Sequence, residues 1–266
     1  MIKLVASDLD GTLLDGKSAL TARTIGAVRK LHERGARFLI ASGRSIVSVS
    51  AFREALGIPM FLICNNGANI YDEAGALIYK SPMSPALVEK ISCFLADRGI
   101  DYNGFDENHL YIHSRKQGAI VSLENQYFDL KVITELDRYP SMTKLLAKAD
   151  EETIQSVKRQ LEREDFAKEL DLSISHPRCL DVVDKFATKG RGLRLVAERL
   201  GMEKDEIMAF GDADNDLSML ESAGIPVAME GSMLAASGRF KRIAWPNTAD
   251  GVARYLEETF DFCEEP

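Results

Sequence analysis

Cysteine is scarce in this chain of 266 residues: Cys64, Cys93, Cys179 and Cys263 lie far apart and form no Cys-x-x-Cys pair. That spacing argues against a disulfide-stapled framework or a cysteine-ligated zinc and points to a reduced, cytoplasmic setting. Long apolar runs are missing too. None approaches the ~18 residues that a membrane span requires. Asp8 arrives before a signal-like apolar core could form, so no secretory leader is expected. Positive charge is in deficit, with 33 Lys and Arg against 41 Asp and Glu and a formal charge of −8. A general nucleic-acid or anionic-membrane partner is thereby disfavoured, since either usually calls for a basic surface. An anionic ligand would have to find local positive charge. Neither a Gly-x-x-x-x-Gly-Lys loop nor a Gly-x-Gly-x-x-Gly fingerprint occurs, so nucleotide binding has no motif to support it. Internal repeats and low-complexity tracts are lacking as well.

What the chain does have is apolar content, 45% of the sequence, enough for sizeable cores in one large or two ordinary domains. Ile2 to Ala6, Ala36 to Ala41, Met60 to Cys64 and Ile207 to Phe210 are apolar runs of strand length that end in polar residues. Helical stretches separate the first three. Thr21 to Arg34 spaces Ile25, Val28 and Leu31 helically and stops at Gly35, and a second helix runs to about Leu56 before Gly57. Thr188 suits the N-cap of a helix carrying Leu193, Val196 and Leu200, with Gly201 as its terminator. Further strands are expected at Ile225 to Met229 and near Arg242 to Trp245. This alternation argues for an α/β, doubly wound, Rossmann-like parallel sheet.

Between about Pro82 and Lys185 the pattern changes. Strands there alternate polar and apolar residues and no longer take strict turns with helices. Helices are expected around Leu87, Ile91, Phe94 and Leu95, around Ile120, Leu123 and Tyr127, and around Ile154, Val157 and Leu161. Tyr102 to Phe105 and Leu110 to Ser114 pair as strands, and Leu172 to Ser175 forms a hairpin with Cys179 to Val183. Lys144 to Lys148 suits helix or strand and is assigned to a strand. The expected organisation is a core from residues 1–82 and 186–266 with an inserted α+β domain at 83–185.

The chemistry concentrates at the strand ends. Asp8-Leu9-Asp10-Gly11-Thr12 closes the first run, and ligands of open α/β sheets bind outside the carboxyl ends of the strands. In extended chain, residues two apart point the same way about 6.6 Å apart, so Asp8 and Asp10 repel unless a cation or a shared proton intervenes. A solvated acidic turn is the plain alternative. Ser42-Gly43-Arg44 closes the second run and Asn65-Asn66-Gly67 the third. The run Gly211-Asp212-Ala213-Asp214-Asn215-Asp216 has the spacing of a calcium loop, but Leu217 stands where glycine is needed and Ala223 where glutamate is. His109 and His113 would share a strand face, without a metal-binding pattern around them.

The pentapeptide resembles the nucleophile motif of the haloacid dehalogenase superfamily of aspartate-dependent phosphohydrolases, and the later segments match that family's other motifs in order. The resemblance implies that Asp8 is the nucleophile and Asp10 the acid/base. Ser42 matches the second motif, Lys189 the third, and Gly211-Asp212-x-x-Asn215-Asp216 the fourth. Mg²⁺ would be held by Asp8, by Asp10 through its backbone carbonyl and by Asp212, with Asp216 ligating or supporting from nearby. Thr12, Ser42, Gly43, Lys189 and Asn215 would surround the phosphate, and Asn66 would meet the rest of the substrate. Arg44 stands between substrate contact and a surface ion pair.

An insert between the second and third motifs is similar to the C2-type cap, the C2B kind of the Cof-type phosphatases. These share the Cys64 to Ala68 turn and the Asn247 to Ala253 segment. Glu230-Gly231 departs from the small polar pair frequent there. The implied activity is a Mg²⁺-dependent phosphatase for small phosphorylated metabolites, sugar phosphates above all, in a monomer or small homo-oligomer. A phosphomutase of the phosphomannomutase type and a non-catalytic phosphate sensor are the other readings.

Overall fold

The computed structural model describes residues 1–107, 109–113, 129–133 and 136–262. The expected helix around Ile120, Leu123 and Tyr127 lies outside the described residues, as do Ser114 and Cys263. The chain divides into two compact units, Met1–Ile78 with Thr188–Pro266, and Tyr79–Ala187.

In chain order, β1 (Leu4–Ser7), α1 (Ala22–Glu33), β2 (Arg37–Ala41), α2 (Ile46–Leu56) and β3 (Phe61–Cys64) alternate, and β4 (Asn69–Tyr71) and β5 (Leu77–Lys80) follow. α1 starts where the Thr21 hydroxyl accepts from Thr24 N at 3.1 Å. α2 stops at Gly57, whose φ of 67° glycine adopts without a Cβ penalty. The second unit holds α3 (Pro85–Ala96), β6 (Asp101–Phe105), β7 (His109–Ile112), β8 (Asp129–Val132), β9 (Lys144–Lys148), α4 (Glu151–Leu161), β10 (Leu170–His176) and β11 (Cys179–Asp184). The first unit resumes with α5 (Lys189–Leu200), β12 (Ile207–Gly211), α6 (Leu217–Ser222), β13 (Ile225–Met229), α7 (Met233–Ala236), β14 (Arg242–Ala244) and α8 (Gly251–Phe260).

The first unit is built on a sheet of order β14-β13-β12-β1-β2-β3-β4-β5. From β14 to β3 neighbouring strands run parallel, whereas β4 runs antiparallel to β3. The parallel core is as expected, and the antiparallel β4 extends it at an edge where a three-residue strand carries too little pattern to be seen in sequence. β1 sits between β12 and β2 with all four residues buried, which is why Leu4, Val5 and Ala6 are apolar in succession and do not alternate. Leu31 of α1, Leu56 of α2, Phe38 of β2, Phe210 of β12 and Leu256 of α8 share one core cluster.

The second unit has its own sheet, β10-β11-β9-β6-β7-β8. Lys144–Lys148 is a strand in it, antiparallel to β6 and β11. Alternate residues Tyr102, Leu145, Ala147, Leu180 and Val182 join Leu87, Ile91, Phe94, Ile154 and Val157 of its helices in a separate core. Among the described residues no helix is long and apolar enough to cross a membrane.

Candidate active site

β1 delivers Asp8 to the sheet end, where its N–H donates to Phe210 O at 3.1 Å. The chain then winds through one wide helical turn, in which Leu13 N donates to Asp8 O at 3.2 Å and Leu14 N to Leu9 O at 2.9 Å. Gly11 makes the turn feasible. Its φ is +78°, and a Cβ there would run into the Asp212 carboxylate. Asp8 is buried, whereas Asp10 turns outward with its side chain 48% exposed.

α5 brings Lys189 to the same place. Thr188 caps the helix by accepting from Arg191 N at 3.1 Å, and the Gly190 N–H donates to the Ser218 hydroxyl at 3.1 Å, which ties the helix start to α6. The Lys189 ammonium lies 2.7 Å from Asp8 Oδ1 and 2.6 Å from Asp216 Oδ1. The other oxygen of Asp216 accepts from Asp212 N and Ala213 N, each at 3.0 Å. Asp216 therefore has both oxygens engaged by protein donors, and it fixes Lys189 and the Gly211–Asp216 loop together.

Negative charge is in excess. Burial pushes the Asp8 carboxyl well above its usual range, the neighbouring Asp216 and Asp212 add to that, and Lys189 opposes it. Asp212 is pushed up to about 6, by burial first and then by Asp216, against the pull of Thr12 and Lys189. For Lys189, burial disfavours the charged form, but Asp216 and Asp8 together outweigh it and hold the ammonium charged. Carboxylates crowded this closely ask for a further cation.

Asp8, Asp212 and Asp216 each place an oxygen within 4.8 Å of the other two. The donor set is wholly carboxylate oxygen, which suits a hard divalent cation such as Mg²⁺ and not a thiophilic one. Asp8 and Asp212 fit such an ion best, because Asp216 already binds Lys189 and the loop backbone.

Other residues singled out in the sequence gather around these. Thr12 Oγ1 donates to Asp212 Oδ1 at 2.7 Å, so its hydroxyl proton is directed to that carboxylate. Ser42 is buried at the end of β2, and its oxygen accepts from Arg44 N at 3.1 Å, leaving the hydroxyl proton for another acceptor. Gly43 follows it, partly buried. Arg44 grips the Asp10 carboxylate with two nitrogens, at 2.7 and 2.6 Å, a two-point pairing that Arg forms and Lys does not. Asn66, at the end of β3, accepts from Asn215 Nδ2 at 3.0 Å.

His109 opens β7 and His113 follows its last residue. They sit in the second unit, where His109 Nδ1 lies 3.0 Å from Asp106 Oδ2 and His113 stacks on Tyr102. Ser218 was not foreseen, because a serine two residues after Asp216 has no signal until α5 and α6 are seen to touch.

The sequence matches a family model described as haloacid dehalogenase-like hydrolase over residues 5–256. A protein of Buchnera aphidicola subsp. Baizongia pistaciae is 31% identical over 98% of this chain and 99% of its own length. The HMP-PP phosphatase of Citrobacter koseri is 28% identical, over 88% of this chain and 86% of its own. Among solved structures, a haloacid dehalogenase-like hydrolase from B. subtilis is similar with a TM-score of 0.84 at 25% identity, covering 96% of this chain and 99% of that one.

Proposed function

The chain belongs to the haloacid dehalogenase-like hydrolases, and from that premise we propose a Mg²⁺-dependent phosphatase that hydrolyses small phosphorylated metabolites, sugar phosphates first among them, through an aspartyl-phosphate on Asp8. The observation that carries this reading is the buried Asp8 carboxylate held 2.7 Å from the Lys189 ammonium with Asp212 within metal-sharing distance. A solvated acidic turn would have no use for a buried lysine. A carboxylate nucleophile attacking a phosphoryl group brings anion to anion, and charge neutralisation is then the main demand on the site.

In the proposed reaction an oxygen of Asp8 attacks phosphorus and the ester oxygen leaves. Asp10 donates a proton to that leaving alkoxide, then takes one from the water that cleaves the acyl-phosphate. Lys189 offsets charge on the phosphoryl oxygens while keeping Asp8 in place. Ser42 and Asn215 supply neutral donors to those oxygens. Arg44 aims the Asp10 carboxylate. Mg²⁺, held by the side chains of Asp8 and Asp212 and the backbone carbonyl of Asp10, would supply the remaining positive charge and fix the attack geometry. Because these groups serve any phosphomonoester, choice among leaving groups is assigned to the unit Tyr79–Ala187, acting as a cap.

The test is a panel of phosphorylated metabolites assayed for phosphate release with and without Mg²⁺. Metal-dependent release from sugar phosphates supports the reading. Conversion of a sugar phosphate to its isomer with no release would make the protein a phosphomutase instead.

A further inference from the structure

Residues 64–68 form a turn that enters the left-handed region twice in succession: φ is 49° at Asn65 and 58° at Asn66. That region costs an L-residue energy, although asparagine tolerates it better than most. Three sides hold the turn there. Asn65 N donates to Arg44 O at 2.9 Å and Asn66 N to Ser42 O at 3.1 Å, which fastens it to the end of β2. Gly67 lies so close to Thr188 that a Cβ would collide with the Thr188 backbone, so the turn is wedged against the residue that caps α5. On the third side, Asn66 Oδ1 accepts from Asn215 Nδ2.

Asn215 is otherwise poorly held. Its Oδ1 is buried and has no hydrogen-bond partner, so among the described residues the bond to Asn66 is the side-chain contact that orients this amide. Asn66 itself is 1% exposed. Strained backbone persists where its surroundings over-determine it, and glycine would occupy the same φ at lower cost. An asparagine kept at this point is therefore explained by its side chain, and the acceptor oxygen of that side chain is directed to Asn215.

We infer that Asn66 is a positioning residue, which acts through Asn215 by holding that amide for the phosphoryl group and does not contact the leaving group. This rests on the phosphatase reading above, and it replaces the substrate contact that the family resemblance assigns to Asn66. An amide free to rotate presents its donor only part of the time. The loss on removing Asn66 should then be the same for every leaving group and should vanish when Asn215 is already gone.

The test is a double-mutant cycle. Asn66→Gly keeps a backbone suited to positive φ and removes the amide, and Asn215→Ala removes its partner. Wild type, both single variants and the double variant are compared in Mg²⁺ for kcat and KM on p-nitrophenyl phosphate and on a sugar phosphate, and for the Kd of inorganic phosphate, with thermal unfolding to check the fold. Asn66→Gly is expected to lower kcat/KM about tenfold to a hundredfold by the same factor on both substrates. It should also weaken inorganic phosphate, and the double variant should fall within about threefold of Asn215→Ala.

Multiplicative losses would overturn the inference by making the two residues independent. A loss confined to the sugar phosphate would overturn it by making Asn66 a substrate contact. If Asn66→Gly does not fold, Asn66→Ala, which also removes the acceptor oxygen, takes its place in the cycle. A wild type that releases phosphate from no monoester sinks the phosphatase reading. The Kd of inorganic phosphate still decides on Asn66, and an unchanged Kd in Asn66→Gly overturns its role.

Discussion

Lys189 Nζ lies 2.7 Å from Asp8 Oδ1, with the two side chains 0% and 7% exposed. A pair buried this deeply is costly to break, because the partner left behind keeps an uncompensated charge. Lys189→Met should therefore lower phosphatase activity by about 10³ or more. It should also destabilise the metal-free protein by about 3 kcal/mol at pH 7.5. Urea unfolding at pH 5 should show a smaller loss, since Asp8, already raised well above the usual carboxylate range by burial, can then take up a proton. An equal loss at both pH values would mean that lost packing, and not the orphaned carboxylate, dominates.

The acidic cluster gives a pH dependence whose sign follows from its direction of shift. Asp212 is ordinary when unfolded and pushed up to about 6 when folded, by burial first and then by Asp216. Between about pH 4 and pH 6 the native state holds more protons than the unfolded one, so this group's contribution to stability falls as pH rises through that window. A divalent ion on Asp8 and Asp212 should remove the penalty. Melting curves in chelator and in Mg²⁺ should coincide near pH 4.5 and separate above pH 6.5, with the Mg²⁺ curve higher. Curves that stay together at pH 7.5 would deny the cluster a metal.

Much of this site was legible in the sequence because each piece sits at a punctuation mark. Asp8, Ser42 and Asp212 each stand at or just past the end of an apolar strand, and Lys189 follows a capping threonine. The sequence did not reveal which ends meet. β1 lies between β12 and β2, and the contact between Asp8 and Lys189 spans 181 positions. Short-range pattern carries no information on that pairing. The β4 edge was missed for a related reason, since Asn69–Tyr71 is too short for alternation to register. Sequence leaves Arg44 between substrate contact and a surface ion pair; its two-point pairing with Asp10 depends on the wide turn at Leu9–Leu13 that swings Asp10 outward, which no local pattern shows.

That grip yields a prediction about leaving groups. General acid catalysis matters most when the departing alkoxide is basic. Asp10→Asn should lower kcat/KM, which reports the step that expels the leaving group, about 10²- to 10⁴-fold on a sugar phosphate and much less on p-nitrophenyl phosphate, whose phenolate leaves unaided, while hydrolysis of the acyl-phosphate slows equally on both. Arg44→Lys, which keeps charge but loses two-point contact, should shift kcat/KM in the same substrate-dependent pattern by a smaller factor. Equal losses of kcat/KM on both substrates would remove Asp10 from protonating the leaving group.

Metal identity provides a further chemical check. Mg²⁺ demands a tight octahedron of oxygens, whereas Ca²⁺ accepts more ligands in looser array. Activity should vanish in chelator, return with Mg²⁺ and return poorly with Ca²⁺, even where Ca²⁺ raises the melting temperature as much. Full turnover in chelator would contradict a catalytic metal on Asp8 and Asp212.

The central claim is that phosphate passes through a covalent bond to Asp8. The direct measurement is peptide mass spectrometry on protein acid-quenched during turnover of a sugar phosphate, with Asp8→Asn as the control. The account predicts one added phosphoryl group on the peptide carrying Asp8 in the wild type, none in Asp8→Asn, and no turnover by that folded variant. A wild type that turns over with no phosphoryl adduct while Asp8→Asn retains activity within about tenfold, an amount too small for a lost nucleophile, would contradict it.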